Sequence, residues 1–162
     1  MNPSDPVAAR SNAGGPEDVP LRVTLLPHAV EAPSYRTEHA AGMDLVAAID
    51  DALELVPGKV EAVPTGIKIE IPPGYEGQVR ARSGLARQHA IGLPNAPGTI
   101  DADYRGEVAV LLLNWGREPY TIRRGDRIAQ LVLAPVARAR IEVAEALTAT
   151  VRGEGGFGHT GR

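Results

Sequence analysis

KVEAVPTGIKIEIPPGYEGQVRA, running from Lys59 to Ala81, decides the fold class. Within it, Ile67-Lys68-Ile69-Glu70-Ile71 alternates apolar and charged residues, the period of two that turns one face of a strand inward. Lys59 to Val63, Gly66 to Ile71 and Gly77 to Ala81 are predicted strands, separated by Pro-containing and Pro-Pro-Gly turns. The pattern extends outward in both directions. Leu21 to Leu26 reads as a strand ended by Pro27, which cannot donate to a ladder, and Asp44 to Ala48 reads as another. Glu107 to Asn114 is apolar on both faces, as for a central strand or one buried between subunits, and Ile128 to Leu133 is a similar run. Ser83 to His89 is the one helix candidate, with Ser83 placed to cap it. Regularly spaced short strands imply an all-β sandwich or barrel with one short helix.

Composition supports this. Gly (18) and Pro (14) are frequent enough to break the chain into short segments. Hydrophobic residues make up 43% but aromatics only 4%, so the core must be aliphatic. With 162 residues the chain suits one domain plus tails. Met1 to Pro20, without periodicity, is expected to be a disordered arm, and the domain to begin at residue 21 and run to 147. Residues 148 to 162, rich in glycine, are expected to form a flexible tail. There is no cysteine, so thiolate nucleophiles and cysteine-bound metals are excluded. No leader or membrane-spanning pattern is found, which predicts a cytoplasmic protein without a membrane partner. A net charge of -3 argues against a nucleic-acid partner, though not against one small polyphosphate.

A few residues stand out chemically. Arg82-Ser83-Gly84 offers a cation, a hydroxyl and backbone N–H groups suited to phosphate, and is equally an ordinary helix start. Gly98-Thr99-Ile100-Asp101-Ala102-Asp103-Tyr104-Arg105-Gly106-Glu107 sets carboxylates and an aromatic in a turn before a rigid strand. Asp101 could activate water and Tyr104 could stack on a sugar or planar ring, or the aspartates merely shape the turn. Asp44, after a glycine at a strand entrance, could anchor hydrated Mg²⁺ or be a turn residue. Gln130, in the charged turn and strand Arg124 to Leu131, faces either a neighbour or a ligand. His28, His39 and His89 lack metal-ligand spacing, and structural roles are expected for them.

Five segments, AGMDL (Ala41 to Leu45), RSGLA (Arg82 to Ala86), GTIDADYRGE (Gly98 to Glu107), RGDRIAQL (Arg124 to Leu131) and RGEGGFGHTG (Arg152 to Gly161), resemble in order the five motifs of the trimeric dUTPase family. The similarity runs from about Leu21 to the C-terminus. It implies a jelly-roll-like β domain in a homotrimer with shared sites, Mg²⁺ as cofactor, and hydrolysis of dUTP to dUMP and pyrophosphate by water attacking the α-phosphate. Arg82, Ser83 and Gly84 would hold phosphates, with the Ser83 hydroxyl at the bridging oxygen. Asp44 would fix Mg²⁺ through water, and Gln130 would contact phosphate. Asn95 and a hairpin around Gly98, Thr99 and Ile100 would read uracil. Tyr104 would pack on the deoxyribose, while Asp101 would bind the 3′-hydroxyl and orient or deprotonate the water. The tail would close as a lid, with Phe157 and Gly158 over uracil and Arg152, His159 and Thr160 near the phosphates. A dCTP deaminase-related enzyme and a non-catalytic binding module of the same fold are the alternatives. No deaminase signature is found, and the residues a binding module would lack are present.

Overall fold

The computed structural model describes residues 18–156. Most of the arm expected at the N-terminus therefore lies outside the described residues, as do Phe157, Gly158, His159 and Thr160. In chain order the elements are β1 (Arg22–Leu25), β2 (Met43–Val46), β3 (Leu53–Leu55), β4 (Val60–Glu70), β5 (Tyr75–Ala81), α1 (Ser83–His89), β6 (Ile91–Gly92), β7 (Gly98–Ile100), β8 (Glu107–Asn114), β9 (Tyr120–Ile122) and β10 (Arg127–Pro135). Two four-stranded sheets, ordered β1-β4-β8-β6 and β2-β10-β5-β7, are joined by a two-stranded ribbon of β3 and β9. All the pairings are antiparallel. The inward faces meet in one aliphatic core, where Leu45, Val79 and Leu131 from one sheet pack with Ile67, Val110 and Leu112 from the other. The described residues are mostly β with one short helix, as expected.

Several details differ from the sequence reading. The two strands expected on either side of Pro64 form one, β4, whose register against β8 shifts between Pro64 and Lys68. The shift accommodates the missing N–H of proline. It needs a glycine: Gly66 has φ of 72°, and a Cβ there would stand 2.4 Å from Ala29 Cα. Ser83 does not cap α1. It is the first helical residue, the cap position is Arg82, and no side chain supplies the cap bond. Ala90 stops the helix in the left-handed region (φ 54°, ψ 34°), its N–H returning to Ala86 O. Gly98–Ile100 pairs with β5 at a free sheet edge, while β8 enters the other sheet.

The face of β8 turned to the core carries Val108, Val110 and Leu112. Its outer face, Ala109, Leu111 and Leu113, pairs with Pro64, Ala62 and Val60 of β4, leaving an apolar strip exposed or half-covered. Among the described residues, regular structure stops at Pro135. Beyond it Ile141, Val143 and Leu147 are almost fully exposed.

Candidate active site

The sheet β2-β10-β5-β7 carries most of the chemistry. Antiparallel pairing aligns Asp44 with Gln130 and Gln130 with Arg80, so these three side chains project from the same face. Asp44 is buried at the sheet edge beneath three guanidiniums. Arg36 Nε donates to its Oδ2 (3.2 Å), Arg127 Nη1 donates to the same oxygen (3.1 Å), and Arg82 Nε stands 3.5 Å from Oδ1. Oδ1 has no hydrogen-bond partner among the described residues. Burial alone would push the Asp44 carboxyl up; the Arg127 hydrogen bond, the Arg82 charge and the Arg36 hydrogen bond outweigh it and hold the group below its ordinary value. Arg82 also donates through Nη1 to Arg127 O (3.0 Å), tying the start of α1 to the start of β10. The first, second and fourth motifs therefore converge on one point.

The third motif lies elsewhere on the same sheet. Asp101 follows β7 and opens a turn closed by Tyr104 N–H to Asp101 O (3.1 Å). Arg105 clamps this turn, Nη1 donating to Ala102 O (2.7 Å) and Tyr104 O (2.9 Å). The Tyr104 hydroxyl donates to Glu107 O (2.9 Å), which folds the ring back over Gly106, where a Cβ would stand 2.2 Å from Tyr104 Oη. The Glu107 carboxylate accepts from Gly66 N–H and from His28 Nε2, both at 2.8 Å. His28 thus has the structural role expected of it. A cavity of about 230 Å³ lies against Thr99, Ile100, Asp101, Tyr104 and Glu107. Asn95 sits against Gly98, its Nδ2 3.2 Å from the place of a Cβ. Among the described residues one edge of β7 has no partner strand, so backbone N–H and C=O groups are open there, as recognition of a flat heterocycle requires.

Arg152 is exposed, and its Nε donates to Gly155 O (2.7 Å) within its own turn. Arg36 and Gly106 were missed as site residues by the sequence reading. Arg36 lies eight residues before Asp44 in an irregular segment, and no periodicity marks it. The sequence pattern gave Gly106 only as part of a turn, although its lack of a Cβ sets the place of Tyr104.

Comparison with known proteins shows the family. The chain is 59% identical over 133 residues to a deoxyuridine 5'-triphosphate nucleotidohydrolase of Anaeromyxobacter sp. (strain Fw109-5), covering 82% of this chain and 89% of that protein. Among solved structures, the Staphylococcus bacteriophage 80alpha dUTPase with dUpNHpp superposes with a TM-score of 0.80 at 27% identity, over 88% of this chain and 99% of that one. The fold is also that of a variant dUTPase from phage phi11 of S. aureus, solved to describe coordination of a structural Mg(II) ion (TM-score 0.72, 24% identity, 80% and 99% of the two chains). The dUTPase family profile matches residues 28–161, and the chain belongs to that family.

Proposed function

We propose that the protein hydrolyses dUTP to dUMP and pyrophosphate, by attack of water on the α-phosphate, in sites shared between the chains of a homotrimer. Family membership carries the reaction; one distance supports the sharing. Ile100 pairs with Gly77, five residues before Arg82, so at about 3.3 Å per residue the Asp101 end of β7 lies roughly 17 Å from Arg82 and Ser83. The carboxylate that orients water and the hydroxyl at the bond being cleaved must both come within hydrogen-bond reach of one phosphate. Neighbouring chains can bring them together; one chain keeps them apart. The strip of Val60, Ala62, Leu111 and Leu113, with the exposed Ile141, Val143 and Leu147, offers the apolar surface such an assembly buries.

In this reading Arg82, Ser83, Gly84 and Gln130 bind the phosphates. Asn95 and the free edge of Gly98, Thr99 and Ile100 read uracil, and Tyr104 packs on the deoxyribose. Asp101 binds the 3′-hydroxyl and holds the attacking water, accepting its proton as the bond to phosphorus forms. Residues 148–162 close over the site and exclude bulk water, with Arg152, His159 and Thr160 at the phosphates and Phe157 and Gly158 at the base. The donor set fits Mg²⁺. No cluster of three or more His, Cys, Asp or Glu suited to a metal occurs among the described residues, while Asp44 Oδ1 keeps an unused acceptor. That combination suits a hard cation carried on the phosphates and touched by Asp44 through water. When bound, Mg²⁺ would neutralise charge developing on the phosphate oxygens. A cytoplasmic location is part of the proposal. No helix among the described residues is long and apolar enough to cross a membrane.

A pyrophosphate-release assay across dUTP, dTTP, dCTP and UTP tests the reading. dUTP alone should turn over efficiently. Comparable turnover of all four, or release of ammonia from dCTP, would contradict it.

A further inference from the structure

Arg36 belongs to none of the five motif segments, yet it stands inside the Asp44 cluster. It enters from the segment beside β2, two residues after Ser34, which bridges to Asp44 across the strand edge. Its Nε donates to Asp44 Oδ2 (3.2 Å), and its Nη2 donates to Glu31 Oε1 (2.6 Å). Arg127 shares that same Asp44 oxygen, and Arg82 faces the other. Three cations and two carboxylates leave the group one positive charge in excess.

Guanidiniums repel one another, and only a shared counter-charge keeps three of them on one spot. Asp44 provides it: its side chain is 2% exposed, whereas those of Arg36 and Arg127 are each 47% exposed. The carboxylate is thus sunk in the sheet while the cations above it meet solvent. Each guanidinium has five N–H donors in a planar fork that matches phosphate oxygens, and one or two bonds to a carboxylate leave most of them unused. Arg82 and Arg36 address opposite oxygens of Asp44, so an anion long enough to span the carboxylate would meet both. A surface ion pair formed for stability alone would contribute little at this exposure.

Building on the dUTP reading above, we propose that Arg36 is a further ligand of the triphosphate, held in place by Asp44, and that it separates nucleoside triphosphate from monophosphate. Glu31 is then a second carboxylate whose negative charge opposes a phosphate at Arg36. Arg36 binds the phosphates beyond the scissile bond, which dUMP lacks.

The test is calorimetric titration of the imido analogue dUpNHpp and of dUMP into the wild type, Arg36→Gln, Arg36→Lys, Glu31→Gln and Arg22→Gln. Arg36→Gln should weaken the analogue on the order of tenfold and leave dUMP within about twofold, the worth of one charge-assisted bond. Arg36→Lys should recover part of the loss. Glu31→Gln should tighten the analogue, and this arm keeps the test open should Arg36→Gln fold poorly. Arg22→Gln removes an exposed charge on the other sheet and should match the wild type. Unchanged analogue binding in Arg36→Gln, equal losses for analogue and dUMP, or an equal effect of Arg22→Gln would overturn the proposal. A wild type that still hydrolyses dUTP would then keep the reading of the reaction intact; a wild type that binds no analogue would remove both.

Discussion

At Asp44 burial and charge act in opposite directions. Burial disfavours the carboxylate, and the arginines above it win, so the folded chain holds this group below its ordinary value. Unfolded aspartate titrates near about 3.9, so the Asp44 contribution is complete above that value and is lost as pH falls through the lower folded one. Asp44→Asn should therefore cost about 2 kcal/mol at pH 7, with half-exposed partners reducing the cost of breaking a buried pair. The difference in Tm from the wild type should shrink below about pH 4; a constant difference down to pH 3 would show that the carboxylate charge is not what holds the cluster. Gly106 makes a different case. Its absent Cβ leaves space for the Tyr104 hydroxyl, which is the far end of a side chain able to swing away. Gly106→Ala should leave Tm nearly unchanged but raise KM for dUTP roughly five- to tenfold by removing the Tyr104 hydrogen bond and shifting the ring. Steady-state kinetics beside thermal melts will separate the two effects, and an unchanged KM would remove Tyr104 from the sugar site.

Among the elements, the C-terminal segment gives the clearest prediction. Its described turn from Thr150 to Gly155 is held only by local bonds such as Gly153 N–H to Thr150 O (3.1 Å). Truncation before Arg152 should leave the core melting as before while lowering kcat/KM by on the order of 10²-fold, because the site stays wet and the phosphates are less well placed. Retained kcat/KM would reduce the segment to a linker. The elements differ in how far residue order alone announces them. The helix Ser83–His89 and the strand Glu107–Asn114 are predicted at their observed limits, the first from helix-tolerant residues after Ser83 and the second from its apolar run. Leu53–Leu55, Ile91–Gly92 and Tyr120–Ile122 were not predicted, because two or three residues carry no period. Pro64 and Gly66 read as a turn, yet a register shift and contact with Ala29 keep β4 continuous, and both depend on partners distant in sequence. The motif residues of the candidate site were visible as chemistry. That Arg36 and Arg127 share one oxygen of Asp44 follows from the Ser34 bridge to Asp44 and from the pairing of β2 with β10, which no local pattern reports.

For the whole molecule, the central claim is that one active site draws on more than one chain. Asp101 and Ser83 lie at opposite ends of the β5 region, and the apolar strip on β4 and β8 offers a surface for neighbours. Asp101→Asn removes the carboxylate with little change in size, and Ser83→Ala removes the hydroxyl at the first residue of α1; each alone should give folded, nearly inactive trimers. Co-expressing the two in equal amounts tests the claim directly. With random assembly, a site taking Asp101 from one chain and Ser83 from its neighbour is intact in roughly one quarter of cases. Pyrophosphate release from dUTP by the whole co-expressed population should return to about a quarter of the wild-type rate, and by mixed trimers freed of both parents to about a third. Mixed trimers as inactive as their parents would show that each chain builds its site alone.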